Sequence, residues 1–241
     1  MENQHHWEVE EFGEVQQKSM RLFLAENHSP EQLLEFTKRF AELMTLYECA
    51  IKEVTTKLEV LTMEFRSTRS RNPINNIQSR IKSPESIMGK MKKKGLPYNL
   101  EMMTAELNDI AGVRVVCPFI DDIYAVADML IQQDDIVLLQ RKDYIAEPKP
   151  NGYRSLHLVI EIPIFLSNRK LPMKVEVQIR TIAMNFWASL EHQIHYKKQL
   201  ENSQELGEEM RQCAEIIHDT DVRMQMIQRK MHLVSEEGEK K

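Results

Sequence analysis

One short stretch limits what this chain can fold into. In Lys174-Val-Glu-Val-Gln-Ile-Arg180, polar and β-branched residues alternate without a break. In an extended strand, Lys174, Glu176, Gln178 and Arg180 therefore face one side, and Val175, Val177 and Ile179 the other. An edge strand with a wetted face has the same pattern, but Glu and Gln are poor strand formers. The following residues, 181–192, open a helix on which Asn185, Ser189 and His192 share a face at i, i+4 and i+7. A polar strand face that runs into a polar helix face reads as the wall of a pocket, with the apolar side of the same strand turned to a core.

The elements around this strand follow from periodicity. Ser29-Pro30 caps a helix over residues 30–66, in which Leu33, Leu34, Phe36, Phe40, Leu43, Met44, Tyr47, Ile51, Val54 and Leu58 recur at helical spacing. Residues 66–79 lose that period and read as a loop or a short extended piece. Ser83-Pro84 starts a second helix that Gly95 ends, and residues 99–108 form a third. Strands are predicted at 110–119, 137–144, 155–162 and 173–180, with a helix at 120–132 and the turn-rich loop Glu147-Pro-Lys-Pro-Asn-Gly152 between the second and third. Helices return at 181–198 and 203–234. The fold class is α+β: a mixed sheet of four or five strands flanked by helices, in one domain over residues 1–241. Residues 1–79 form an N-terminal helical region, 80–200 an α/β core, and 201–241 a C-terminal helix.

Charge and cysteine content narrow the function. A net charge of −5 argues against a dedicated nucleic-acid binder. The bias is local instead: Arg66–Gly95 holds nine Lys or Arg and a single acid, Glu85. Such a run is most often a solvated face; in an acidic protein it also suits a small, highly anionic ligand. Cys49, Cys117 and Cys213 are too far apart in sequence to form a zinc knuckle. The polar N-terminus does not resemble a signal peptide, and no apolar run nears the ~20 residues that span a bilayer. A cytoplasmic location with reduced thiols is the expectation.

Candidate chemistry lies in four segments. Glu176 and Gln178 occupy the alternating strand. In Arg80-Ile-Lys-Ser-Pro-Glu-Ser-Ile-Met-Gly-Lys90, Arg80 and Lys82 point the same way, and Ser86, Lys90 and Lys93 follow on one helical stripe. Cations converging on the first turn of a helix, whose free N–H groups also attract anions, suit a polyphosphate. Lys149-Pro-Asn-Gly-Tyr-Arg-Ser-Leu-His157 puts an aromatic ring, able to stack on a base, on a sharp loop. In Asn108-Asp-Ile-Ala-Gly-Val-Arg114, Asp109 stands where a helix hands over to a strand, a common position for a metal-binding carboxylate. Asp109 and Arg114 have opposite parity, so the chain must bend between them, and Gly112 is the candidate bend. His192 and His195 with Glu191 have metal-ligand spacing, but a structural role is the better reading for such a pair.

These segments resemble the alarmone synthetases of the RelA/SpoT type. The resemblance rests on Asp-Ile-Ala-Gly-x-Arg (109–114), Asp-Tyr-Ile-Ala-Glu (143–147), Gly-Tyr-Arg-Ser-x-His (152–157), Glu-Val-Gln-Ile-Arg-Thr (176–181) and Asn-Phe-Trp-Ala (185–188), in order over residues 80–196. The length is that of the small, single-domain class. The resemblance implies transfer of the β,γ-pyrophosphoryl group of ATP to the ribose 3′-hydroxyl of GDP or GTP. It makes Arg80 and Arg114 an adenine clamp, and Lys82, Ser86, Lys90 and Lys93 holders of the donor phosphates. Asp109 and Glu176 would bind Mg²⁺, and Glu176 would also orient or deprotonate the 3′-hydroxyl. Tyr153 would stack on guanine. Lys142, Lys149, Arg154, His157, Gln178 and Asn185 complete the GDP/GTP set. Lys93 and Lys142 stand where relatives commonly carry Arg.

Two other readings compete: pyrophosphorylation of a nucleic acid 3′ end, and a non-catalytic RNA-binding scaffold. The basic stretch keeps the first open, while intact Asp109, Tyr153 and Glu176 argue against the second. Met210, Ala214, Ile217, Met224, Ile227 and Met231 form a long apolar stripe on the last helix. With the family habit of homotetramers, this predicts a symmetric homo-oligomer, a tetramer, built through the terminal helices.

Overall fold

The computed structural model describes residues 29–68, 71–196 and 203–238. In chain order these form α1 (Pro30–Thr68), β1 (Asn76–Ile81), α2 (Pro84–Lys93), α3 (Leu100–Glu106), β2 (Ala111–Cys117), α4 (Ile120–Ile131), β3 (Val137–Asp143), β4 (Leu156–Phe165), β5 (Lys170–Thr181), α5 (Ile182–Tyr196) and α6 (Ser203–Gly238). The five strands make one sheet in the order β1-β2-β5-β4-β3. Only β2 and β5 run parallel; the other neighbours are antiparallel. The mixed sheet expected from sequence is present with five strands.

The alternating strand has the two faces its pattern requires. Val175, Val177 and Ile179 are fully buried, while Lys174, Glu176 and Gln178 are half-buried. The apolar face shares one core with Val113, Val115, Leu158 and Ile160, with Ala50, Val54 and Leu58 of α1, and with Ile123, Val126 and Leu130 of α4. Ile87 and Met91 of α2 join the same core, so the basic helix is anchored by its apolar stripe. Its start and stop follow the local chemistry. The Ser83 hydroxyl accepts from the Ser86 N–H, and Gly95 takes φ +66 just beyond the last turn.

The sequence reading misplaces one element. β1 starts within the segment read as a loop or a short extended piece, so the extended alternative is the one found, and it begins at Asn76, in the region assigned to the N-terminal helices. Its residues are exposed or half-buried, so it lacks the apolar alternation that marks a strand; pairing with β2 holds it in place. The bend required by the parity of Asp109 and Arg114 is also elsewhere. Gly112 sits within β2, opposite Arg80 on one side and Glu176 on the other, and the chain bends instead at Asn108–Ile110, before the strand begins.

α6 is tied to its own subunit at several points. Asp221 is buried and hydrogen-bonded to the Thr181 hydroxyl, which also caps α5 by accepting from the Met184 N–H. The Gln225 side chain accepts from the Asp121 N–H at 2.9 Å, and Arg229 pairs with Asp121 at 2.8 Å. Leu58, 0% exposed, joins α1 to the sheet. Leu58→Ala is expected to lower the unfolding free energy by about 2–5 kcal/mol in urea titrations, the range for a large-to-small change in a packed core.

Candidate active site

The polar face of the sheet carries two cross-strand rows. In the first, Lys142, His157, Gln178, Arg114 and Gln78 are successive register partners across all five strands. In the second, Arg80, Gly112, Glu176 and Val159 are partners. Residues from distant parts of the chain therefore line up because the strands pair, with side chains on one surface. Gln78, Ser79, Arg80, Gly112, Val113, Arg114 and Gln178 line a recess of about 90 Å³ on this face.

Asp109 lies at the head of β2, where the Lys82 N–H donates to the Ile110 carbonyl at 2.8 Å. Its carboxylate is held by two ammonium groups, Lys82 Nζ at 2.8 Å and Lys90 Nζ at 2.8 Å. Burial would push its pKa up, but the two lysines outweigh burial and hold it below the usual carboxylate range. Ser86 is exposed in the first turn of α2, its hydroxyl 3.0 Å from that of Ser83. Lys93 is exposed on the last turn of the same helix.

Glu176 has a different environment. His157 Nδ1 lies 3.3 Å from one carboxylate oxygen, and the Gln178 amide donates to the other at 2.7 Å. Burial raises its pKa and the charge on Asp109 adds to that rise, yet His157 and Gln178 prevail and the group is lowered. Both carboxylates are thus kept ionised. They offer hard oxygen ligands, and among the described residues no group of three or more His, Cys, Asp or Glu forms a complete metal cage. That donor set fits Mg²⁺, which binds few protein carboxylates and keeps positions for water and phosphate oxygens.

The residues expected on the acceptor side gather around Tyr153. Gly152 takes φ +85, a left-handed conformation that favours glycine, and a Cβ built there would stand 2.5 Å from the Ala214 Cβ. The Tyr153 hydroxyl is 2.8 Å from His157 Nε2. Lys149 Nζ sits 4.7 Å from the centres of both the Tyr144 and Tyr153 rings. Asn185 on α5 has a buried side-chain oxygen with no partner among the described residues.

The structure thus brings together Arg80, Lys82, Lys90, Asp109, Arg114, Lys142, Lys149, Tyr153, His157, Glu176 and Gln178. Arg114 is buried enough for its pKa to fall below the usual arginine value, an effect that Arg180 and Arg80 strengthen, and its Nε has no partner among the described residues. Arg154 is a correction. Its guanidinium is buried, bonded to the Gly152 carbonyl and paired with Glu215 of α6 at 3.2 Å, so it ties the loop to α6 and does not face the acceptor. Strand parity foretold this: Arg154 and Ser155 cannot both face the site. Sequence reasoning gave no role to Arg180, which reaches Tyr153, Ser155 and Gln178. The signal was available, since Arg180 shares the face of Glu176 and Gln178. Glu191 and His192 lie on α5, and the side chain of His195 lies outside the described residues.

A sheet that carries two ionised carboxylates, a run of cations and a half-buried tyrosine together defines a nucleotide-handling site without a Walker loop. Residues 79–201 match the family model described as the region found in RelA / SpoT proteins, and the chain belongs to that family. It is 46% identical over 181 residues to the GTP pyrophosphokinase YwaC of Bacillus subtilis, covering 75% of this chain and 86% of that protein. It is 38% identical to the GTP pyrophosphokinase YjbM of the same organism, over 66% of this chain and 74% of that one. The crystal structure of small alarmone synthetase 1 from Bacillus subtilis, bound to its product pppGpp, superposes with a TM-score of 0.74 at 33% identity, over 80% of this chain and 98% of that one.

The Asp109 ion pairs carry a sign that can be checked. A carboxylate whose folded pKa lies below its unfolded value contributes stability above the unfolded value and loses it as pH falls through the folded one. Asp109→Asn is therefore expected to be less stable than the wild type at neutral pH. Urea unfolding curves of the two proteins should converge at acidic pH, once the wild-type carboxyl is protonated.

Proposed function

We infer that this protein is a GTP pyrophosphokinase that makes alarmones: it moves the β,γ-pyrophosphoryl group of ATP to the ribose 3′-hydroxyl of GDP or GTP, giving ppGpp or pppGpp and AMP. The observation that carries the reading is the shared polar face. There Glu176 and Asp109 stand among the cations of β1, α2 and β2, with Tyr153 beside them, in a chain 46% identical to a named GTP pyrophosphokinase.

The roles follow from charge and reach. Arg80 and Arg114 present planar guanidiniums at the recess for adenine. Lys82, Ser86, Lys90 and Lys93 take the donor phosphates, and the phosphates replace Asp109 as the partner of the two lysines. Tyr153 stacks on guanine, with Lys142, Lys149, His157, Gln178 and Asn185 around the acceptor. Glu176, ionised and held on both oxygens, receives the proton of the 3′-hydroxyl. The 3′-oxygen forms its bond to the β-phosphorus as the bond to the bridging oxygen of the α-phosphate breaks, and that oxygen keeps the electron pair and leaves with AMP. Asp109 and Glu176 would hold Mg²⁺, which would neutralise phosphate charge there. Phosphoryl transfer consists mostly of such positioning and charge compensation. ATP and guanine nucleotides are cytoplasmic pools, and the cytoplasm is the proposed location; no helix among the described residues is long and apolar enough to cross a membrane.

The protein is proposed to work as a homotetramer. In the α6 stripe, Ala214 is buried and Met210 and Ile217 half-buried within the subunit, whereas Met224, Ile227 and Met231 are 48%, 50% and 67% exposed. An exposed apolar row of this kind is a surface for a second copy. Light scattering is expected to give a mass near four times 28.4 kDa; a concentration-independent monomer contradicts it.

Mixing the protein with labelled ATP, Mg²⁺ and either GDP, GTP or tRNA, followed by thin-layer chromatography, decides the substrate. Label on the guanine nucleotide is expected, and label on tRNA alone would select the nucleic acid reading. Glu176→Gln keeps the shape but loses the charge, and synthesis should fall by about 10²-fold or more, the scale of losing a general base.

A further inference from the structure

Arg180 is a buried cation in an unusual setting. It is 5% exposed, and among the described residues no carboxylate lies within ion-pairing distance of it. Its partners are neutral: Nε donates to the Ser155 hydroxyl at 3.3 Å, Nη2 donates to the Gln178 side-chain oxygen at 3.0 Å and to the Tyr153 hydroxyl, and the guanidinium lies 5.0 Å from the centre of the Tyr153 ring. Arg114, a second cation, is near enough to feel it. A buried arginine kept only for stability is normally matched with an acid, because an unpaired buried charge is costly. Here the donors are spent on residues of the acceptor side.

We propose that Arg180 is the positioning residue of the acceptor site: through Tyr153 and Gln178 it fixes the tautomer of His157 and holds both oxygens of Glu176. The proposal rests on the reading of Tyr153, Gln178 and Glu176 given above.

The directions of the hydrogen bonds are dictated by what each group can do. A guanidinium only donates and a carboxylate only accepts. The Tyr153 oxygen accepts from Arg180, so its own hydrogen is free to point at His157 Nε2, 2.8 Å away. Nδ1 faces a carboxylate and so carries the hydrogen it donates to Glu176 at 3.3 Å, and the Tyr153 hydroxyl is left to donate to Nε2. On the other arm the Gln178 oxygen accepts from Arg180, which fixes the amide, and its nitrogen donates to the second Glu176 oxygen at 2.7 Å. Arg180, Tyr153, His157, Glu176 and Gln178 thus close a ring in which both arms run from the guanidinium to the carboxylate. Both arms start from Nη2, whose two hydrogens serve Tyr153 and Gln178, while Nε is anchored on Ser155; a lysine has no second nitrogen for that anchor and no plane to lay against the tyrosine.

Three measurements test this. In steady-state kinetics with ATP and GDP varied separately, Arg180→Gln and Arg180→Lys should raise the GDP KM by about tenfold or more, the scale of a lost hydrogen bond from a charged group. kcat should fall as well, while the ATP KM stays within about twofold. Equal losses for both substrates would overturn the proposal. In nitrogen-15 spectra of the nucleotide-free protein, with His157 assigned by a His157→Gln difference, the wild-type ring should be the Nδ1–H tautomer. Arg180→Gln should release it to a mixture of both. Tyr153→Phe, which keeps the ring and removes only the hydroxyl, should do the same and covers the case in which the Arg180 variants fold poorly. An Nε2–H tautomer in the wild type, or a tautomer indifferent to both substitutions, would overturn the proposal. If the wild type makes no pyrophosphorylated guanine nucleotide, the enzymatic reading fails while the spectra still decide the role of Arg180.

Discussion

The pairing of β5 on both of its edges sets the geometry of everything else at this surface. On one side its parallel register with β2 sets Gly112 against Glu176 and Arg114 against Gln178; on the other, the antiparallel register with β4 sets His157 against Gln178. A slip of one residue in either ladder would turn Glu176 and Gln178 into the core and Val175 and Val177 into solvent. The apolar face prevents that slip. Val175, Val177 and Ile179 are fully buried against α1 and α4, so the packing of one side of the strand specifies the chemistry of the other.

Electrostatics on the polar face are unbalanced by design of the sequence. Two carboxylates face a larger number of cations, and the two are treated differently. Asp109 is gripped by ammonium groups, whereas Glu176 is held by an imidazole nitrogen and an amide. Phosphates can compete for the lysines around Asp109. The partners of Glu176 are held by neighbouring strands, His157 by β4 and Gln178 by β5, and remain in position when anions arrive. A carboxylate that must meet a hydroxyl is better served by such fixed dipoles than by mobile charges.

Much of this was legible in the chain, and the exceptions have physical causes. Strict alternation at 174–180 and the Ser83-Pro84 cap gave correct elements because local chemistry alone determines them. β1 was hidden because an exposed strand is held by its neighbour's backbone and needs no apolar alternation. The motif residues Asp109, Tyr153, His157 and Glu176 were identified by resemblance, and their convergence depends on strand order, which periodicity does not encode. Arg154 entered the acceptor set through the Gly-Tyr-Arg-Ser-x-His resemblance, although adjacent residues near a strand face opposite ways; its partner, Glu215, lies 61 positions away. Arg180 went without a role for the converse reason: its face was readable, but its contacts with Tyr153 and Gln178 depend on how the loop folds back.

The contact between Gly152 and Ala214 has a consequence for how the enzyme comes into being. The tyrosine loop is braced by a helix that follows it in the chain by some sixty residues, through Ala214 against Gly152, Glu215 against Arg154, and the Trp187 indole donating to the Met210 carbonyl. During synthesis the sheet and its charged face can assemble while this brace is still inside the ribosome. The donor half of the surface is then complete before the acceptor half is rigid. The loop that carries Tyr153 therefore gains its support last, when α6 has emerged and docked.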